Sequence, residues 1–271
     1  MMFAAILLLP RLITNGAEPP NAVKLEAPHV QYRMNEATAT RSPWIDANGW
    51  RILRAPGQSF VYHVTGEAAA LAAAEAFTYG SDALISADAV GTESFNRMLD
   101  FLRQIPTFDL TPVADIGVVD DNSDETGELM NLLSRQNLLY KPERAPDRRM
   151  RLNVHVGTKD YSFEDAKDPS LLAHKIRAKL GDDNRSLRIY GSEVVIARLL
   201  ASGDQARVYL LNYSNRPVRG LRVRIRGSYA KGESRVFGVP DSHVNDLTLD
   251  PTGTEFTVPE LNAFAVVDLS Q

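Results

Sequence analysis

The period of the apolar residues changes once along this chain, near residue 185, and that change restricts the folds open to it more than any other feature. Upstream, helical and extended patterns alternate. EAAALAAAEAF (67–77) reads as a helix on alanine propensity, and DALISA (82–87) as a buried strand. Phe95, Met98, Leu99 and Leu102 fall at i, i+3, i+4 and i+7, with Pro106 beyond them, so a helix is expected there. The apolar run from Val113 to Val119 ends at Asp120 and Asp121 and feeds a second helix. Asn122 or Ser123 can cap that helix, Glu125 supports its first turn, and Leu129, Leu132 and Leu133 form its stripe. GWRILRA (49–55) and LNVHVG (152–157) read as strands; a last helix follows Pro169, capped by Ser170 and stopped by Gly181. This order predicts βαβ units and a largely parallel sheet. From Ser186 onward the period is two, in RIYGSEVVIARLL, ARVYLLNYS, GLRVRIRG, SRVFGV, TEFTV and AFAVVDL, which predicts a small antiparallel β-sandwich.

The expected organisation is therefore an α/β domain over 44–184 followed by a β-sandwich over 185–271. Residues 18–43, with several prolines and no sustained period, read as an extended leader on the surface. Residues 1–17 carry an apolar core from Phe3 to Leu9 and small residues at Gly16 and Ala17, the pattern of a signal peptide cut before Glu18, although no Lys or Arg precedes the apolar run. Secretion or export to the periplasm follows from that reading; a cytoplasmic protein with an irregular N-terminus is the alternative.

Composition removes several functions. A net charge of −4 argues against a nucleic-acid binder. With no cysteine, disulfides, thiolate metal sites and cysteine nucleophiles are excluded. The five histidines show no ligand spacing, so no metal site is expected, and the absence of G-x-G-x-x-G and of a P-loop leaves no handle for a nucleotide cofactor; no cofactor is expected. No later segment approaches the ~20 apolar residues of a membrane span.

Two segments carry candidate chemistry. Asp120 and Asp121, at a strand-to-helix junction where α/β sheets place ligands, are candidate catalytic carboxylates; equally, acidic residues there satisfy the helix dipole. Being adjacent on a strand, their side chains diverge, so only one can face a ligand. WIDANGW gathers Trp44, Asp46, Asn48 and Trp50. Indole faces beside a carboxylate and an amide suit a sugar, with Asp46 a third candidate carboxylate, while an Asn-Gly turn between core anchors is the plainer reading. Glu193, in YGSEVVIA, is a further candidate ligand-binding carboxylate. Ser81 and Ser192 lead from turn into strand and do not form a nucleophile elbow. In LRVRIRG, Arg222, Arg224 and Arg226 share one face, a solvated surface or a docking strip for an acidic partner.

IGVVDDNSDETGELMNLLSRQNLLY, followed by LRIYGSEVVIARLL and RVYLLNYSNRPVRGLRVRIRG, resembles secreted bacterial proteins of the glycosidase world. These join a glutamine-amidotransferase-like α/β domain, as in the trimerisation region of some β-galactosidases, to a C-terminal β-sandwich. The resemblance implies a flavodoxin- or amidotransferase-like, mostly parallel sheet. Class I amidotransferases use a cysteine nucleophile, so amidotransferase activity is excluded here. A carbohydrate-associated protein acting in glycan binding or assembly is implied. A glycoside hydrolase using two of Asp46, Asp120, Asp121 and Glu193 is the enzymatic alternative, and a structural subunit, homo-oligomeric or part of a larger assembly, is the third.

Overall fold

The computed structural model describes residues 10–35 and 40–271. The apolar segment Phe3–Leu9 lies outside the described residues. In chain order the first part comprises β1 (Leu12–Thr14), β2 (Val23–Leu25), β3 (His29–Asn35), β4 (Thr40–Asp46), α1 (Gly49–Arg54), β5 (Phe60–Val64), α2 (Ala68–Thr78), β6 (Ala83–Ala87), α3 (Ala89–Leu102) and β7 (Thr111–Pro112). There follow β8 (Ile116–Val119), α4 (Asp124–Arg135), β9 (Tyr140–Glu143), β10 (Leu152–Val154), α5 (Phe163–Ala166) and α6 (Pro169–Leu180). The remainder is β11 (Leu187–Tyr190), β12 (Val195–Ser202), β13 (Gln205–Asn212), β14 (Val218–Ile225), β15 (Lys231–Val236), β16 (Asn245–Asp250), β17 (Gly253–Leu261) and β18 (Phe264–Ser270).

The architecture is mixed α/β followed by all-β. The parallel strands form two sheets, β1-β6-β5-β2 and β10-β8-β9, where the sequence suggested one. The antiparallel strands form β11-β14-β17-β16 and β15-β18-β13-β12-β7, which face each other across a core that includes Val208, Leu210, Val223, Phe256 and Val267.

The two halves share a second core. Strands β13 and β18 bury one face in the sandwich and turn Tyr209, Leu211, Phe264 and Val266 toward α2. Phe77 of α2 meets Tyr209 and Phe264 edge-on at 5.9 and 6.4 Å. Every α2 residue from Ala69 to Thr78 is buried. The alanine run therefore does more than favour a helix: its small side chains let sheets approach α2 from both sides, so no polar stripe exists.

Four expectations at the level of elements change. GWRILRA is helix α1, because Ile52 turns to the α2 core while Trp50 and Leu53 pack against the β8–α4 core, an arrangement a strand of that length cannot make. Its start is fixed by a tertiary contact, the Asn48 N–H on Glu75, that local pattern does not reveal. Helix α6 is capped by Asp168, whose Oδ1 accepts from Leu171 N at 2.9 Å, not by Ser170; Pro169 occupies the first helical position, which places the cap before it. Asn122 takes a left-handed turn at φ 62°, and Ser123 alone caps α4, accepting from Thr126 N at 3.2 Å. Residues 18–43 are not an extended leader on the surface: Val23–Leu25 joins the parallel sheet, and β3 and β4 pair antiparallel with His29 opposite Asp46. Strand β1, within the segment read as a signal peptide, pairs with β6, and Leu12 is buried.

Candidate functional site

The β8–α4 junction is a latch. Arg54 grips Asp120 with two parallel bonds, Nε at 2.9 Å and Nη2 at 2.8 Å, and Nη2 also donates to the Ser123 carbonyl at 3.0 Å. Gly127 makes this approach possible, since a Cβ there would lie 2.9 Å from the Trp50 ring and would collide with Arg54. Asp121 diverges from Asp120 and accepts from Ser123 N at 3.0 Å and Ser123 Oγ at 2.6 Å. Partial burial works against its charge, but these Ser123 bonds prevail and hold the carboxyl below its ordinary value. Both carboxylates are thus engaged in tying α1 to α4 and in supporting the cap.

The tryptophans are covered by cations. Arg135 lies over the Trp44 ring at 3.8 Å, and Arg51 over Trp50 at 4.3 Å. Both indoles pack against the core around Ile116, and the Trp50 N–H is buried without a hydrogen-bond partner among the described residues. Asp46 accepts from Trp44 Nε1 at 3.1 Å and Gln31 Nε2 at 2.7 Å, with His29 Nε2 at 3.4 Å, so it holds the end of the β3–β4 hairpin. The flat faces that suggested sugar platforms are used inside the protein.

Asn48 leads to a cluster that the sequence did not disclose. Its backbone N–H donates to Glu75 Oε1 at 2.8 Å and its Nδ2 to Oε2 at 3.0 Å. The same carboxyl accepts from Tyr62 at 2.9 Å and from Tyr213 at 2.6 Å, and it is fully buried. Burial raises the Glu75 pKa above its ordinary value of 4.5, against the pull of the four donors, and lifts both tyrosine hydroxyls. A glutamate at position 75 inside an alanine run was the available signal, because a lone acid among apolar residues of a buried helix requires partners. With every lone-pair direction occupied by protein, this cluster is a structural joint.

The open site is a groove of about 1090 Å³ between α4, α6 and the strand and turn that carry Tyr190 to Glu193. Of the residues singled out in the sequence for catalysis or binding, Glu193 lines it; Asp46, Asp120, Asp121, Trp44, Asn48 and Trp50 do not. Tyr32 and Tyr190, 60% and 39% exposed, stand at its wall as aromatic surfaces. Arg177 and Arg185 share Asp182, at 3.2 and 3.1 Å, and Arg185 also donates to the carbonyls of Gln136 and Asn137 at 3.1 Å. Arg188 reaches Asp183 at 3.0 Å. Gln136 contributes a buried side-chain oxygen that accepts no hydrogen bond among the described residues. Sequence reasoning missed this groove because its walls come from segments about 160 residues apart and its tyrosines lie on edge positions with no motif. The Arg222–Arg224 strip, by contrast, is neutralised across the sheet by Glu255 and Asp250. No group of three or more His, Asp or Glu side chains suited to a metal occurs among the described residues. No described helix is long and apolar enough to cross a membrane.

No protein-family model and no curated protein matches the chain. Among solved structures it is similar to α-L-fucosidase isoenzyme 2 from Paenibacillus thiaminolyticus, with a TM-score of 0.57 at 8% identity over 79% of this chain and 61% of the fucosidase. The chain thus spans less than two thirds of that enzyme, and the likeness is one of fold. An α-amylase from H. orenii (TM-score 0.21, 11% identity, 82% of this chain and 55% of that one) superposes loosely. So does a trehalose-6-phosphate hydrolase from Bacillus licheniformis (TM-score 0.23, 13% identity, 76% and 39%).

Proposed function

We propose that this protein is carbohydrate-associated and binds a glycan in the groove walled by Tyr32 and Tyr190. The observation that carries the reading is the pairing of two exposed aromatic rings with polar groups, Glu193, Gln136 and Arg188, in one large concavity. Tyrosine rings stack on the apolar faces of sugar rings, and charged or amide groups bond the hydroxyls. Resemblance to glycosidase-associated proteins in sequence, and to a fucosidase in fold, supports the same class of ligand. The amidotransferase-like character of the α/β part and an extracytoplasmic location belong to this proposal and rest on the sequence.

Binding is favoured over hydrolysis. A two-carboxylate mechanism needs a pair of acids flanking one sugar, and among the described residues that line this groove Asp182 is occupied by two arginines, leaving Glu193 as the other carboxylate. An array of neutral and acidic glycans, run beside a panel of aryl glycosides, tests the reading. Retention without turnover is expected; turnover of any glycoside replaces binding with catalysis, and silence in both removes the proposal.

A further inference from the structure

A second cavity, of about 800 Å³, shares Asn137 with the groove, and its wall includes Leu53, Val113, Leu139, Met150 and Ile196. Among the described residues three cations line it, Lys141, Arg149 and Arg198, and no carboxylate does. Two of the three are neutralised by acids outside the lining: Lys141 by Glu143 at 2.8 Å, and Arg149 by Asp147 at 2.7 Å, where the Arg149 bonds pull the Asp147 carboxyl down to about 2. Arg198 differs. Its Nη1 donates to the Thr78 carbonyl at 2.6 Å and its guanidinium lies 4.9 Å from the centre of the Tyr79 ring. It forms no ion pair and no other hydrogen bond among the described residues. Burial pushes its pKa down, opposed by the surrounding tyrosines.

A guanidinium keeps its proton in proteins, so Arg198 is a permanent, partly buried charge in the cavity wall. An unpaired charge in such surroundings is costly, and its planar fork matches a carboxylate through two parallel bonds. The rest of the wall is largely apolar, and 800 Å³ lies within the range of small-molecule pockets, roughly 300–1,000 Å³. Arg198 and Tyr79 also line an adjoining cavity of about 260 Å³ with Phe77 and Phe108, again without a carboxylate among the described residues of its lining. We infer that this cavity binds a small organic acid with an apolar body, its carboxylate on Arg198. The inference does not depend on the glycan groove.

Calorimetric titration of the full chain with 4-phenylbutyrate and octanoate, each against its primary amide, tests it. The acids are expected to bind at least about tenfold more tightly than the amides, since hydrogen bonds to charged groups exceed neutral ones by that order. Arg198→Gln should remove this preference, and Arg198→Lys should keep part of it, because the charge remains while the fork is lost. Equal binding of acid and amide by the wild-type chain, binding of neither acid, or an acid preference that survives in Arg198→Gln overturns the inference. If Arg198→Gln does not fold, the wild-type comparison and Arg198→Lys still decide.

Discussion

Tyr213 donates its hydroxyl to Glu75 at 2.6 Å, so the residue that follows β13 of the sandwich is bonded to the middle of helix α2. Tyr62 and Asn48 complete the joint from β5 and from the start of α1. Four elements therefore meet on one carboxyl, and the two halves of the chain should unfold together.

Glu75→Gln places an amide NH₂ where Asn48 N or Nδ2 now donates, leaving a donor facing a donor. A loss of ~1–3 kcal/mol follows for each bond left unmade in the interior. Tyr213→Phe, which removes a single donor, should cost ~1 kcal/mol. Differential scanning calorimetry should show one transition in the wild-type chain and in both variants; separate transitions for the two halves would contradict the joint.

The same residue gives a pH dependence with a defined sign. Burial raises the folded pKa of Glu75 above 4.5, so between that value and the folded pKa the folded chain holds a proton that the unfolded chain has lost. Its contribution is complete below about 4.5 and is lost as the pH rises through the folded pKa. The stability difference between wild type and Glu75→Gln should narrow from pH 4.5 to 8 in denaturant titrations. A difference that widens would mean that the four donors outweigh burial.

Asp120→Asn breaks a partly buried bidentate pair with Arg54. A loss of ~1.5–3 kcal/mol is expected, as for hydrogen bonds to charged groups, with glycan binding unchanged. Loss of binding at unchanged stability, measured by urea unfolding beside affinity electrophoresis, would restore Asp120 to a ligand site.

A chain beginning at Glu18 lacks β1. It also loses the bonds of Arg11 N to Asp82, Thr14 to the Ile85 carbonyl and Asn15 to Thr92 and Ala87. It is expected to melt several degrees below a chain beginning at Pro10, because an edge strand and a buried leucine are removed. Equal melting temperatures would show that β1 adds nothing and would fit removal of the segment as a signal.

The elements legible in the sequence were those with a long period and a local stop. Phe95, Met98 and Leu102 are all buried on α3, and Ser123 caps α4, because each follows from neighbours within a few residues. The short helix α1 was not legible: six residues cannot separate period two from period 3.6, and its start depends on Glu75, 27 residues away. Trp44, Asp46 and Trp50 were legible as a cluster but not in direction, since Arg135 covers Trp44 only once α4 packs beside β4, and Arg51 covers its neighbour Trp50 only once α1 has formed as a helix. At the groove, Glu193 is the one sequence candidate in the lining; Tyr32 and Tyr190 join it by tertiary contact alone.

The most direct measurement is calorimetric titration of the best ligand from the glycan array into wild type, Tyr190→Ala, Tyr32→Ala and Asp120→Asn, each checked for folding by circular dichroism. Stacking on a tyrosine contributes on the order of 1 kcal/mol, so each tyrosine variant should weaken binding about fivefold or more while Asp120→Asn binds as wild type. Binding that survives both tyrosine variants and disappears in Asp120→Asn would place the ligand at the β8–α4 junction and contradict the groove.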